Sequence, residues 1–381
     1  KSWVLLANKQ SGSMMANAVA MKVGQLVGAE YTNHIIPVEL YINGNYRGSY
    51  MFTEKVGLAN NSVDVDEEVG YMLELDTYYD EAYKFRSSRY NLPVNIKEPD
   101  LSEFDDTFAQ SRKNEIKDDF NRAENAVYTG NDIGRYIDLD AAARFLLANE
   151  LVMNMEIGHP KSTFLFKEDL SSSESKIKFG PLWDFDWAFG YENTSNYFTV
   201  PVTTGLFSKI SGYGATFFKA LMSNREFKRH YYKVWKEFLE NNHIEEIKDY
   251  IKEYYEFVEE SFRHNSTKWG DGNGYGSKLS TMQQWMEDRQ NFIAKNLTKY
   301  DISDLVHTLL GDIDCNDAVT IRDIALLNSY LAGITEEDFN LAKADTDNNG
   351  TIDAADLPAL AMAIATSDPV SSLYRYNTQQ S

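Results

Sequence analysis

Two segments near the carboxyl end of the chain carry oxygen-bearing side chains at a spacing that suits a metal ion. Calcium binds six to eight hard oxygen ligands, and a 12-residue loop supplies them from positions 1, 3, 5, 7, 9 and 12. Two loops with this spacing predict two Ca²⁺ ions. The predicted ligands are Asp312, Asp314, Asn316, the Ala318 carbonyl, Thr320 and Asp323 in the first loop, and Asp345, Asp347, Asn349, the Thr351 carbonyl, Asp353 and Asp356 in the second.

The two loops differ at position 6, where the backbone needs a residue that tolerates a positive φ. The second loop has Gly350 there, whereas the first has Asp317, which adopts this conformation at a higher cost. We therefore expect the first site to be the weaker or less regular one. Each loop runs into an apolar segment, 321–332 and 354–365, without the incoming helix of a standard EF-hand.

A second acidic feature is the segment 183–187 (WDFDW), in which two carboxylates are embedded among aromatic residues. Acids are rarely surrounded by bulky apolar groups unless they bind something. Alternation along an extended segment predicts that Asp184 and Asp186 lie on one side, where they could hold a divalent ion or a metal–phosphate pair. The alternative is a structural aspartate that caps a turn beneath a tryptophan.

Polar residues upstream complete a pattern typical of phosphoryl-transfer sites. Asn154, Glu156 and the trio 161–163 (KST) follow an apolar helical segment and precede a predicted strand. A helix, a polar loop, a strand and an acidic loop in this order can bring a base and metal ligands together.

The elements that must position these residues are read from hydrophobic periodicity. The first hundred residues are dominated by strands, and the Asn43-Gly44 dipeptide predicts a type I′ hairpin turn. Ser13 is the predicted N-cap of the first helix. The predicted strands are 3–7, the hairpin 35–56, 70–76, 92–97, 163–167 and 176–182, and the predicted helices are 13–28, 103–129, 137–155 and those within 223–298.

Composition limits the classes of function. The 381 residues exceed one ordinary core, so at least two domains are expected. The net charge of −21 disfavours a nucleic-acid or anionic-membrane surface, and the sequence holds no apolar run of about 18 residues that could span a bilayer. The single cysteine excludes an intrachain disulfide. Because the chain opens at Lys1 without the features of a signal peptide, we expect a fragment or a mature product.

The paired loops resemble a dockerin over about 307–366. This resemblance implies a secreted, extracellular protein that is associated with a cellulosome or the cell surface. It also implies calcium-dependent docking to the cohesin domain of a scaffoldin. The two implied contact sets differ in chemistry, so symmetric dual docking is not expected. They are Ile321, Arg322, Asn328 and Ser329 in the first half, and Ala354, Ala355, Ala361 and Met362 in the second.

The larger part of the chain resembles the CotH (spore coat protein H) kinase-like family, a set of atypical protein kinases. The resemblance is carried by the segments 3–8 (WVLLAN), 38–56 (VELYINGNYRGSYMFTEKV), 70–76 (GYMLELD), 162–169 (STFLFKED) and 180–190 (GPLWDFDWAFG). It implies an α+β fold that binds ATP and Mg²⁺. By this resemblance, Asp184 corresponds to the metal-binding aspartate and Asp186 to its partner acid. Glu54 corresponds to the acid after the hairpin, and the catalytic aspartate falls at or next to Glu156. Asn154 is grouped with the cofactor-binding residues.

The chain departs from the family pattern in two places. Glu156 has one methylene more than an aspartate, and its loop is one residue longer than usual, so the base could miss a substrate hydroxyl by about 1 Å; such an error can cost about a hundredfold in rate. The family also places a basic, glycine-containing strand before 3–8, and the chain starts too late to contain it.

Three functions follow from these observations. The leading prediction is a scaffold-borne protein with a kinase-like domain over 1–302 that transfers phosphate to Ser or Thr, a dockerin over 307–366 and a polar tail over 367–381. The second is a non-catalytic structural or adhesion subunit with a pseudokinase fold. The third is a carbohydrate-active enzyme with Glu156 and Asp184 or Asp186 as paired acid and base. The expected partners are a cohesin and a protein substrate or cell-wall polysaccharide.

Overall fold

A computed structural model describes residues 2–7, 14–60, 62–191, 197–207, 212–270, 275–297, 310–314, 319–334, 341–347 and 349–366. The chain forms two compact units, Lys1–Leu297 and Thr298–Ser381. Among the helices of these described ranges, none is both long and apolar enough to cross a membrane.

The first unit begins with a three-stranded antiparallel sheet. Its strands β1 (Trp3–Ala7), β2 (Ile36–Ile42) and β3 (Asn45–Glu54) lie in the order β1-β3-β2. The predicted hairpin is confirmed, because Asn43 and Gly44 have φ values of 52° and 76°, as a type I′ turn requires.

Helix α1 (Ala16–Leu26) connects the first two strands and buries most of its residues. It begins later than the predicted 13–28, with Met15 rather than Ser13 at the N-cap. Ser13 itself lies outside the described residues.

A second, five-stranded antiparallel sheet has the order β5-β6-β4-β7-β8. Strand β7 pairs with β4, which precedes it by some ninety residues in the sequence. Thr163 pairs with Leu75 at the point where the polar loop enters the sheet. Strand β8 is shorter than the predicted 176–182 because Gly180 has a φ of 131° and Pro181 offers no N–H to the ladder. The strands are β4 (Tyr71–Leu75), β5 (Lys84–Arg86), β6 (Pro93–Glu98), β7 (Thr163–Lys167) and β8 (Lys178–Phe179).

Helices complete the first unit. Helix α2 begins after Asp105, whose carboxylate accepts hydrogen bonds from the amides of Thr107 and Phe108, and ends at Gly130 in the left-handed conformation. Helix α4 is the central core helix, and it ends at Leu151 rather than at the predicted 155. The helices are α2 (Asp106–Thr129), α3 (Ile133–Tyr136), α4 (Leu139–Leu151), α5 (Tyr213–Ser223), α6 (Arg225–Glu240), α7 (His243–Trp269) and α8 (Tyr275–Leu297).

The second unit is helical and has its own small core. Helices α9 (Ile321–Leu331), α10 (Leu341–Ala344) and α11 (Asp356–Thr366) contribute to it, with Leu327 and Leu360 fully buried. Helix α11 begins two residues later than the predicted segment, because the carboxylate of Asp353 accepts a hydrogen bond from the amide of Ala355 in a turn before the helix. The predicted α+β fold, β-rich first and helical afterwards, is confirmed.

Candidate functional site

The loop that follows α4 positions the first acid of the site. Met153, at a φ of 50°, turns the chain out of the helix, and a short 3₁₀ helix (Met155–Gly158) follows. The buried side chain of Asn154 accepts a hydrogen bond from the Glu156 amide (3.2 Å) and donates one to Asn149 Oδ1 (3.0 Å). Asn154 therefore fixes the backbone beneath Glu156, and the cofactor contact predicted for Asn154 stays a prediction.

Glu156 is a buried carboxylate whose two oxygens have different surroundings. The residue is 1% exposed, and its Oε1 lies 3.0 Å from Lys161 Nζ. Its Oε2 has no hydrogen-bond partner within the described part of the chain. Burial first, and then the charges of Asp184 and Asp186, raise the pKa of Glu156 to about 7, while Lys161 opposes the rise.

The polar trio connects this acid to the next one. Lys161 also lies over the ring of Tyr78, with Nζ 5.0 Å from the ring centroid. Ser162, at a φ of 47°, donates a hydrogen bond from Oγ to Asp184 Oδ2 (3.3 Å). The loop before β7 therefore contacts both Glu156 and Asp184.

The predicted alternation of Asp184 and Asp186 along an extended strand is wrong, because Asp184 has a φ of 57°. The two acids are nevertheless close enough to interact. Burial raises the pKa of Asp186, the charge of Asp184 raises it further, and a hydrogen bond from Asn17 opposes the rise. The left-handed backbone conformation of Asp184 therefore turns the chain here, and the segment is not an extended strand.

Asn17 of α1 holds the acidic segment in place. Its Nδ2 donates a hydrogen bond to Asp186 Oδ1 (2.9 Å), and its Oδ1 accepts one from the Phe185 amide (2.8 Å). The Tyr197 hydroxyl donates to the Asp186 carbonyl (2.7 Å). Sequence reasoning missed Asn17, although a polar residue within the apolar stretch 16–21 of this helix was the available signal.

Aromatic rings line the chain beyond the acids. Trp187 stacks on Tyr191, with ring centroids 5.6 Å apart, and His159 meets Trp187 edge-on at 5.2 Å. Tyr191 contacts Tyr197, the residue that donates to Asp186. These contacts join the acidic segment to the loop that carries Glu156.

Glu54 makes its described contacts within the N-terminal sheet region. Its Oε1 lies 2.9 Å from His34 Nδ1, and its Oε2 accepts a hydrogen bond from the His34 amide (2.9 Å). Burial alone would raise the pKa of Glu54, but hydrogen bonds from the backbone and from His34 outweigh burial and lower it. The structure describes no contact between Glu54 and the three acids, and its predicted cofactor role stays a prediction.

In the second unit, two groups of three aspartates each bring their carboxylate oxygens within 4.8 Å of one another. Elsewhere in the described ranges, Glu156, Asp184 and Asp186 do not converge so tightly. Hard oxygen donors at this density fit calcium. The groups are Asp312, Asp314 and Asp323 in the first loop, and Asp345, Asp347 and Asp356 in the second, whereas the predicted ligands Asn316 and Ala318 lie outside the described residues.

The last aspartate of each loop also ties the loop to its helix. Asp323 accepts hydrogen bonds from the amides of Ile313 and Thr320, at 2.6 and 2.7 Å. Asp356 makes the same contacts in the second loop, where it accepts hydrogen bonds from the amides of Thr346 (2.6 Å) and Asp353 (2.9 Å). These side chains close both loops and leave little of their charge exposed.

The described part of the second loop has the left-handed glycine that its sequence predicts. Gly350 has a φ of 88°, and its amide donates a hydrogen bond to Asp345 Oδ2 (2.9 Å). Asn349 Oδ1 accepts one from the Thr351 amide (2.8 Å). Asp317, the residue at the equivalent position of the first loop, lies outside the described residues.

The predicted docking residues all lie at the surface of the second unit. None is buried, and Ile321 is 74% exposed, compared with 38% for Met362. Arg322 and Ser329 are partly exposed. The remaining positions are exposed: Asn328, Ala354, Ala355, Ala361 and Met362.

Together these features define an α+β domain with a loop-borne cluster of three acids, followed by a small helical module with two groups of aspartates that suit calcium. The family model described as CotH kinase protein matches residues 1–293, and the model described as Dockerin type I domain matches residues 310–365. The chain belongs to the CotH kinase protein family and carries a type I dockerin at its carboxyl end. No curated protein matches the chain.

The two matches confirm both resemblances read from the sequence. Dockerin type I domains bind calcium, so these matches support a cellulosome-type component that docks to a cohesin. Such components are typically extracellular.

Proposed function

We propose that the CotH domain binds Mg·ATP and transfers phosphate to a Ser or Thr hydroxyl of a protein, while the dockerin attaches the chain to a cohesin of a scaffoldin. The observation that carries the proposal is Glu156, a buried acid next to Asp184 and Asp186 with a pKa of about 7 and one oxygen that has no hydrogen-bond partner among the described residues. Perturbed acids of this kind cluster at catalytic sites.

The acid cluster suits a divalent cation. Asp184 raises the pKa of both Glu156 and Asp186, so the three carboxylates repel one another in their charged forms. A bound cation would relieve this repulsion. Asp184 and Asp186 are the proposed metal ligands, and Asn154 and Glu54 are proposed contacts of the nucleotide.

Glu156 is the proposed base. Its free Oε2 takes the proton of the substrate hydroxyl as the hydroxyl oxygen forms its bond to the γ-phosphorus and the bond from phosphorus to the leaving ADP oxygen breaks. Mg·ATP, when bound, supplies the phosphoryl group. Lys161 holds Oε1, so the carboxylate presents a single oxygen to the substrate.

The dockerin is proposed to hold two calcium ions and to present one helical face to the cohesin. Its contact residues are those of the two exposed sets, which differ in size and charge between the halves. Because the halves are unlike, a single docking orientation is proposed. Secretion and attachment to a cellulosome or the cell surface follow from this partner.

The experiment is a phosphotransfer assay with the full chain, Mg²⁺, γ-labelled ATP and a Ser- and Thr-containing protein mixture. We expect transfer by the native protein, a loss of at least a hundredfold in Glu156→Gln, and no detectable transfer in Asp184→Asn. Absence of both transfer and ATP binding would overturn the phosphotransferase and favour the non-catalytic subunit. That second function is favoured by one observation, the ion pair that already occupies one oxygen of Glu156. Release of reducing sugar from cell-wall polysaccharide would instead favour the carbohydrate-active enzyme.

A further inference from the structure

Arg322 makes an ion pair with an aspartate of the first calcium loop. Its Nε lies 2.8 Å from Asp314 Oδ2, and the Asp314 side chain is only 3% exposed. The Arg322 amide donates a hydrogen bond to the N-cap hydroxyl of Thr320 (3.2 Å), which fixes the residue in the first turn of α9. The guanidinium therefore lies against one member of the aspartate group that could hold a metal ion.

Helix geometry explains why the side chain reaches this position. Side chains in a helix point back toward its amino end, which at Arg322 is the side of the loop. The helix dipole disfavours a cation in the first turn, and a nearby negative charge offsets this cost. Asp314 supplies that charge in an environment where water screens it poorly.

The second loop lacks this cation. Arg322 is residue 11 of the first loop, and residue 11 of the second is Ala355, which is exposed. Both loops contain four aspartates over their 12 positions, but only the first contains a base. The closing contacts of Asp323 and Asp356 are otherwise alike.

We infer that the Arg322 guanidinium is an internal counter-cation that competes with Ca²⁺ at the first loop, so the two loops fill at different calcium concentrations, the second loop first. This inference rests on the proposed calcium ligands. A unit charge beside a divalent ion in a partly solvated loop weakens binding by about tenfold. The first loop then sets the calcium concentration at which the module is complete.

The experiment is a calorimetric Ca²⁺ titration of the full chain with four proteins: native, Arg322→Gln, Arg322→Lys and Ala355→Arg. The amide resonances of Thr320 and Gly350, which donate to loop aspartates, assign each binding step to its loop. We expect Arg322→Gln to tighten the first loop about tenfold and leave the second unchanged, with a smaller difference at high salt. Arg322→Lys keeps the charge and should resemble the native protein, and Ala355→Arg should weaken the second loop.

Three results would overturn the inference. An unchanged or weaker first loop in Arg322→Gln would show that Arg322 does not compete with the metal. An equal gain in Arg322→Lys would assign the effect to side-chain shape rather than charge. Absence of calcium binding by the native protein would overturn the proposed ligands as well, whereas two bound ions with no effect of Arg322→Gln would overturn this inference alone.

Discussion

The side-chain amide of Asn17 donates a hydrogen bond of 2.9 Å to Asp186, which follows it by 169 residues. The same side chain accepts the Phe185 amide. A residue of the first helix thus orients the acidic segment that the proposed metal would bind.

Asn17 can be tested with two variants. Asn17→Ala removes both hydrogen bonds and should lower the free energy of unfolding of the first unit by about 2 kcal/mol. Asn17→Asp keeps an acceptor for Phe185 but faces Asp186 with a second acid, so it should weaken Mg·ATP binding more than stability. Thermal unfolding and calorimetric titration measure the two effects. Equal nucleotide affinity in the native and Asn17→Asp proteins would show that Asn17 does not orient the acidic segment for Mg·ATP binding.

Glu156 should make stability depend on pH. Its folded pKa of about 7 lies above its ordinary value of 4.5, so the folded protein binds the proton more tightly. The resulting stability is complete below pH 4.5 and is lost as pH rises through 7, by roughly 2 to 3 kcal/mol. Glu156→Gln does not titrate, so its thermal midpoint should fall less than that of the native protein between pH 5 and pH 8. Parallel curves for the two proteins would contradict a raised pKa.

Lys161 should control the pH at which Glu156 ionises. Its hydrogen bond and charge lower the pKa of Glu156, so Lys161→Gln should raise that pKa above its present value of about 7. The pH profile of phosphotransfer should then move to higher pH. Lys176→Gln, in the loop before β8, removes a charge outside the described site contacts and should leave the profile in place.

Asp356 should be required by the second calcium loop. It accepts hydrogen bonds from the amides of Thr346 and Asp353 and belongs to the metal-ligand group. Asp356→Ala should abolish calcium binding at this loop and destabilise the second unit by about 3 kcal/mol, while the first unit unfolds as before. Ala325→Gln, on the exposed side of α9, is the matched control. Calcium binding that survives Asp356→Ala would exclude this aspartate as a ligand.

Much of the fold follows from local sequence signals. The Asn43-Gly44 turn was predictable because only a few residues adopt a positive φ readily, and the paired loops were predictable because metal ligands recur at fixed spacing. Helix ends were less accurate. Helix α11 begins after a side-chain turn at Asp353, and such hydrogen bonds compete with the helix at each boundary.

The parts that were missed depend on contacts between distant segments. The sequence identified Asp184 and Asp186 but gave the wrong geometry, since a positive φ at a non-glycine residue is stabilised by its surroundings rather than by its own type. The roles of Asn17 and Arg322 likewise arise from what they contact. The sequence shows Asn17 only as a polar residue in an apolar stretch of helix, and it gives Arg322 no distinct signal. Their partners, Asp186 and Asp314, are known only from the fold.

The central claim is that the acid cluster of the CotH domain binds Mg·ATP. The most direct test is a calorimetric titration of the calcium-saturated chain with Mg·ATP, for the native protein, Asp184→Asn and the control Asp169→Asn. The Asp169 carboxylate caps an exposed turn at Ser171. The account predicts binding of one nucleotide by the native and Asp169→Asn proteins and a loss of at least a hundredfold in affinity in Asp184→Asn. Equal binding by all three proteins, or no binding by the native chain, would contradict it.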